Sequence, residues 1–139
     1  SLLYSLDQHG ASLSTLYRNC ANQGPCLLAI QNTEDEVFGA YLSEGFQPQQ
    51  SYYGNGECFL WRWCKKKKQV DIYPWTNHND YLMYSNHDFL AIGGGKGHFG
   101  LWLDLTHGYS EPCMTFNNPS LASKSSFECL AIEIWCFAY

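Results

Sequence analysis

The sequence predicts a mainly β fold of the α+β class: a two-sheet antiparallel β-sandwich flanked by short helices. Three observations predict it. Short runs rich in aromatic and β-branched residues recur along the chain, with turn residues between them. The alternation of strand, amphipathic helix and strand that builds a parallel sheet is not visible. Only one segment carries an apolar stripe at helical spacing. With 139 residues, 45% of them hydrophobic, the chain has the size of one domain with one core. A chain this long should bury about two-thirds of the surface its extended form exposes, so neither disulfide nor metal is required for folding.

The helical stripe is Leu13, Leu16, Tyr17 and Cys20, with Ser12 as N-cap and Gly24-Pro25 as stop. From Cys26 the period changes to two. CLLAIQ, the turn residues Asn32, Thr33, Glu34 and Asp35, and then EVFGAYL predict a hairpin. Over residues 57–63, Glu57, Phe59, Trp61 and Trp63 alternate with Cys58, Leu60 and Arg62. Both faces are largely apolar, which predicts a central strand covered on both sides. VDIYPW is expected at a sheet edge, because Pro74 cannot donate to a ladder. YLMYS and FLAIGG, joined by Ser85, Asn86, His87 and Asp88, predict two further antiparallel strands; FGLWLDL predicts another, and FECLAIEIWCF a final buried one.

Charge excludes two classes of partner. Thirteen acidic residues against eight Lys plus Arg leave a formal charge of −5, whereas nucleic acids and anionic membranes are bound by neutralising phosphates with basic side chains. The exception is Lys65, Lys66, Lys67 and Lys68, read as a solvated loop between strands or as a short docking patch for an acidic partner. The apolar runs fall short of the ~20 residues a membrane helix requires, so no direct membrane insertion is expected. The chain opens at Ser1 without initiator Met or signal-peptide pattern, as expected of a piece of a longer protein. Its seven Cys include no CxxC pair and lie mostly in apolar runs, which predicts buried, reduced thiols.

Several constellations invite chemistry. Gly95 to Gly100 spell GxGxxG, but a strand pattern follows where a phosphate-cradling loop needs a helix, so the glycines read as a turn with positive-φ positions. The Cys spacings do not match zinc knuckles, and no metal or other cofactor is expected. Cys113 lies in a loop-like stretch near Glu111, whose charge would raise its pKa and blunt its reactivity. Glu57, at the head of an apolar strand after Gly54-Asn55-Gly56, and Asp104, after Leu101-Trp102-Leu103, are carboxylates in apolar company. Each reads first as an acceptor that pins a loop, then as an acid or base, which would require both in one concave pocket.

Taken together, the motifs are familiar. They run LYS at 3–5, HG at 9–10, SLxxLYR at 12–18, FGAY at 38–41, YGNGECFL at 53–60, NDY at 79–81, IGGGxGxFGLWLD at 92–104, GxSxxCxTFNN at 108–118 and EIW at 133–135. In this order they resemble the TLDc domain found at the C-terminus of oxidation-resistance proteins; GECFLWR and NDYLMYSNHDFLAIGGG are most similar to the fungal type. The resemblance implies a two-sheet β-sandwich and protection against oxidative stress without an active site. It further implies binding to subunits of the vacuolar-type proton ATPase by a monomer in the cytoplasm, at the vacuolar membrane through its partner, with a mitochondrial pool. The alternative is a cysteine-thiol antioxidant acting directly on peroxide. Motif positions that carry over as scaffold or interaction residues are Gly54, Gly56, Glu57, Gly94, Gly95, Gly97, Trp102, Asp104, Cys113, Phe116 and Asn117. The chain departs from the family in three ways. It lacks a stretch upstream of Leu3, it carries Asn55 where Thr is common, and it has only Leu105, Thr106 and His107 between Asp104 and Gly108, where the family has a longer loop.

Overall fold

The computed structural model of the chain describes residues 1–137. Its strands are β1 (Leu2–Ser5), β2 (Cys26–Asn32), β3 (Val37–Leu42), β4 (Phe59–Cys64), β5 (Gln69–Pro74), β6 (Met83–Ser85), β7 (Leu90–Ile92), β8 (Leu101–Leu103), β9 (His107–Tyr109) and β10 (Ser126–Cys136), with helices α1 (Leu6–His9) and α2 (Leu13–Cys20). All strand pairings are antiparallel. The order is β5-β4-β3-β2-β10-β9-β8-β7-β6, with β1 also paired to β10.

The two layers of the predicted sandwich are the halves of this continuous ribbon. They share β10. Its first residues, Ser126, Phe127 and Glu128, pair with β9, while Ala131 to Cys136 pair with β2. The register slips between Cys129 and Ala131, and such a bulge adds local twist where the strand passes from one layer to the other. The halves then face each other across one cluster of buried side chains that includes Leu28, Phe38, Leu60, Leu90, Leu101, Phe116, Phe127 and Ile134. Phe38 of β3 meets Phe127 of β10 edge-on, with ring centroids 4.9 Å apart.

Helix α2 forms where the stripe places it. The Ser12 hydroxyl accepts from the Thr15 N–H at 3.2 Å, and Leu16, Tyr17 and Cys20 face the core. The single turn α1 has no apolar periodicity and is not foreseen. It is made by capping: Ser5 Oγ accepts from Gln8 N–H at 3.3 Å, His9 Nδ1 accepts from Ser5 N–H at 2.9 Å, and the Tyr4 hydroxyl donates to the Gly10 carbonyl. The hairpin of β2 and β3, the edge position of β5 and the presence of β6, β7, β8 and β10 agree with the sequence reading, whereas β1 and β9 are not foreseen.

Two expectations fail. β4 is not central; it lies next to the edge strand β5, and Trp63 on its outer face is 41% exposed. Its apolar outer face is a row of partly exposed aromatic rings: Phe59 stacks on Tyr41 at 5.1 Å, and Trp61 lies over Gly39. β10 is central but buried on one face only, since Leu130 and Trp135 project outward at 60% and 41% exposure.

Candidate functional site

The glycine-rich segment is bound into the fold by its own neighbours. Gly93 has φ 80°, and a Cβ there would stand 2.7 Å from Cys113 Sγ and 3.0 Å from the Phe116 ring. Gly94 is held on both sides: its N–H donates to Thr115 Oγ1 at 3.1 Å, and its carbonyl accepts from the same hydroxyl at 3.2 Å. Thr115 Oγ1 is also 2.8 Å from Asn79 Oδ1. Gly95 and Gly97 take positive φ toward solvent. A Cβ at Gly54 would meet Met83 Sδ at 2.9 Å, and one at Gly56 would enter the Trp75 ring at 2.1 Å. Cys113 Sγ donates to Asn118 Oδ1 at 3.2 Å; Phe116 is buried beneath the loop, and Asn117 turns the chain at φ 47°. The motif residues Gly94, Cys113 and Phe116 therefore build one knot of backbone and short side chains. The N–H groups of Gly93, Gly94, His98 and Gly100 are all spent inside it. Cys113 is buried, and that burial, which outweighs the nearby donors, raises its pKa.

The two carboxylates are not brought together. Glu57 is exposed, in the turn before β4 begins at Phe59, which corrects the expectation that it heads a covered strand. The acceptor that pins this turn is Asn55: its Oδ1 accepts from Glu57 N–H at 2.9 Å, and its own N–H donates to Ser43 Oγ at 3.1 Å. Asp104 does pin a loop. Its Oδ1 accepts from Thr106 N–H at 2.9 Å and His107 N–H at 2.7 Å. In this turn Leu105 stands at φ 78°, a left-handed conformation rare for a branched apolar residue, with its side chain fully buried. Asp104 borders a hollow lined also by Ser12, Leu13, Tyr17 and His87, without Glu57.

What the structure does assemble is a ribbon of rings over the outer face of β6–β9. Tyr81 lies 4.8 Å from Tyr52, and Tyr52 5.3 Å from Tyr84 (centroid to centroid). Tyr84 is 5.7 Å from Phe89, which touches both Phe99 and Trp102 at 6.0 and 5.5 Å. Trp102 closes on Tyr109 at 5.1 Å. Tyr84, Ala91, Trp102 and Tyr109 form one cross-strand row, and the small Ala91 leaves room for the rings to close over it. Tyr81 and Tyr109, near the two ends, are 43% and 47% exposed. Of these residues only Trp102 stands out in the sequence as a site position. The others sit in different loops and strands, and only the pairing register makes them neighbours.

Several polar groups elsewhere are engaged with one another. A hollow of about 450 Å³ includes Glu34, Glu36, His107 and Lys124 in its lining; Lys124 Nζ lies 3.2 Å from Glu34 Oε1, and Glu36 accepts from Asn32 and Ser123. His98 Nδ1 meets Glu111 Oε2 at 2.8 Å on the surface. Lys65 and Lys67 pair with Asp35 and Asp71. Among the described residues, no group of three His, Cys, Asp or Glu side chains is placed to hold a metal ion, and no helix is long and apolar enough to cross a membrane.

Known sequences agree with this scaffold. The chain is 42% identical over 143 residues to oxidation resistance protein 1 of Yarrowia lipolytica, covering 96% of this chain and 62% of that protein. It is 41% identical over 140 residues to oxidation resistance protein 1 of Bos taurus, covering 99% of this chain and 16% of the relative. It is 42% identical over 139 residues to human nuclear receptor coactivator 7, covering 98% of this chain and 14% of the relative. The chain thus spans less than two-thirds of the length of these relatives. The sequence profile of the TLDc domain matches residues 1–138, and the chain belongs to the TLDc domain family.

Proposed function

We propose that this TLDc domain works without turnover, as an interaction module in protection against oxidative stress. It docks on peripheral subunits of the vacuolar-type proton ATPase through the aromatic face of β6–β9. The observation that carries the docking mode is the unbroken chain of ring contacts from Tyr81 to Tyr109. Rings that are mutually packed lose little conformational freedom on binding, and Tyr and Trp carry a large share of interface energy. The stress-protection role is supported by the oxidation-resistance relatives, and the choice of ATPase by the family resemblance. On this reading the domain acts as a monomer in the cytoplasm, at the vacuolar membrane through its partner, with a mitochondrial pool.

Two enzymatic readings have less behind them. An acid–base site would need Glu57 and Asp104 in one pocket, yet Glu57 faces solvent and Asp104 Oδ1 is committed to two backbone amides. A turnover thiol antioxidant needs an accessible thiolate of low pKa, whereas burial pushes Cys20 and Cys129 up to about 12 and Cys26 up to about 11. The test is a pull-down of peripheral ATPase subunits by the purified domain, followed by electron microscopy of the complex. Tyr81→Ala and Tyr109→Ala should each weaken capture by roughly tenfold or more, while the domain stays folded by circular dichroism with Tm lowered only by the loss of one ring contact. A wild-type domain that neither binds these subunits nor alters their assembly overturns the docking claim.

A further inference from the structure

The register between β2 and β10 ends by placing Cys136 directly opposite Cys26. The Cys136 N–H donates to the Ser1 carbonyl at 2.9 Å, and the Cys136 carbonyl accepts from the Ser1 amino group at 3.0 Å. Both backbone polar groups of Cys136 are therefore spent on Ser1, just ahead of β1. Toward β2, Cys136 and Cys26 form a non-hydrogen-bonded pair. At such a position the Cα atoms stand about 4.5 Å apart with the side chains drawn together, inside the ~4.4–6.8 Å window a disulfide requires. The two thiols also share a face. Cys26 begins the inward row that continues with Leu28 and Ile30, and Cys136 follows Ile132 and Ile134, which pair with those residues. Cys26 is fully buried, while Cys136 is half-buried. The proximity registers electrostatically, since the Cys26 thiol is pushed up first by burial and then by Cys136.

We propose that Cys26 and Cys136 form a peroxide-responsive pair that closes into a cross-strand disulfide and reopens with a dithiol reductant. This is a stoichiometric modification site and does not rest on the docking reading. The Cys136 thiolate attacks one oxygen of a hydroperoxide. The O–O bond breaks, the other oxygen leaves as hydroxide or alkoxide and takes up a proton, and Cys136 becomes a sulfenic acid. Cys26 sulfur then attacks Cys136 Sγ, and the expelled hydroxide leaves as water with the Cys26 proton. The two thiols lose two electrons and the peroxide gains them. Register supplies the selectivity. The other half-buried thiols, Cys64 and Cys129, face Gln69 and Asn32, so their sulfenic acids have no thiol across the ladder. The fully buried Cys20 lies near enough to both members of the pair to feel their charge, and it is the competitor a test must separate.

The purified domain should be treated with hydrogen peroxide, blocked with an alkylating agent and mapped by peptide mass spectrometry that resolves Cys26 from Cys20 and Cys136 from Cys129. The expected result is a loss of two titratable thiols from the seven of the chain, a Cys26–Cys136 cross-link, and a rise in Tm of several degrees that dithiothreitol reverses, since the closed loop is long. Cys136→Ser is a near-isosteric change at a partly buried position on the rim of the core. Whatever its own Tm, it should retain its remaining thiols at the same peroxide dose and show no oxidant-dependent shift. The inference is overturned by a full complement of thiols after excess oxidant, by Cys136 sulfinic acid beside a free Cys26, or by a cross-link through Cys20.

Discussion

Gly93 and Gly97 share a loop and nearly the same φ, 80° and 78°, yet they differ in what surrounds them. An added methyl at Gly97 meets nothing within 4 Å, whereas at Gly93 it meets Cys113 and Phe116. Gly97→Ala should therefore cost only the ~1–2 kcal/mol of a left-handed L-residue. Gly93→Ala should cost roughly 2–4 kcal/mol, because overpacking adds to the same backbone term. Chemical denaturation of the two variants separates the cases. A similar pair tests Asp104. Asp104→Ala removes the acceptor of two loop amides and should cost about 1–3 kcal/mol, while Asp104→Asn keeps an oxygen there and should recover most of it. The sequence marks both positions, because a glycine run and a carboxylate after an apolar triplet stand out. It does not mark Asn55 as the side chain that holds the turn at Glu57, since only the fold brings Ser43 to the Asn55 amide.

At the level of elements, periodicity and punctuation locate α2, the β2–β3 hairpin and the edge strand β5. What they miss is cover. Alternating aromatics over residues 57–63 report two apolar faces, but Trp61 and Trp63 reach outward to partly exposed positions beside β3 and β5. For the same reason the long apolar run of β10 reads as buried although Leu130 and Trp135 face out. Helix α1 is invisible to periodicity because one turn is too short to show a stripe; its signals are Ser5, His9 and Gly10. The cap of α2 gives an element-scale prediction. Ser12→Ala removes the acceptor for Thr15 N–H and should lower stability by about 1 kcal/mol, and Ser12→Asp should restore it, as followed by thermal melting.

Across the whole molecule, the buried thiols give stability a dependence on pH. Cys20 and Cys26 move from an ordinary 9.0 up to about 12 and about 11, chiefly through burial. Below about pH 9 folded and unfolded chains hold the same thiol protons, so this contribution is fully present. Above it the unfolded chain releases protons that the folded chain retains, and stability falls by on the order of 1.4 kcal/mol per pH unit per thiol until the folded pKa is reached. Urea midpoints measured from pH 8 to 10 under reducing conditions should fall with rising pH, and less steeply in Cys26→Ala than in wild type. The aromatic face is the feature least legible from the chain, because its members come from residues 52 to 109 and meet only through tertiary pairing.

The strand common to both layers is also the last of the ten in chain order. Until residues 126–136 leave the ribosome, β1, β2 and β9 lack the neighbour they share. A nascent chain thus presents two unfinished sheet borders, and its closure waits on contacts between segments more than a hundred positions apart, such as Leu2 with Trp135. Folding of this kind is slow, so the interval before residues 126–136 emerge is when a chaperone has the most to hold.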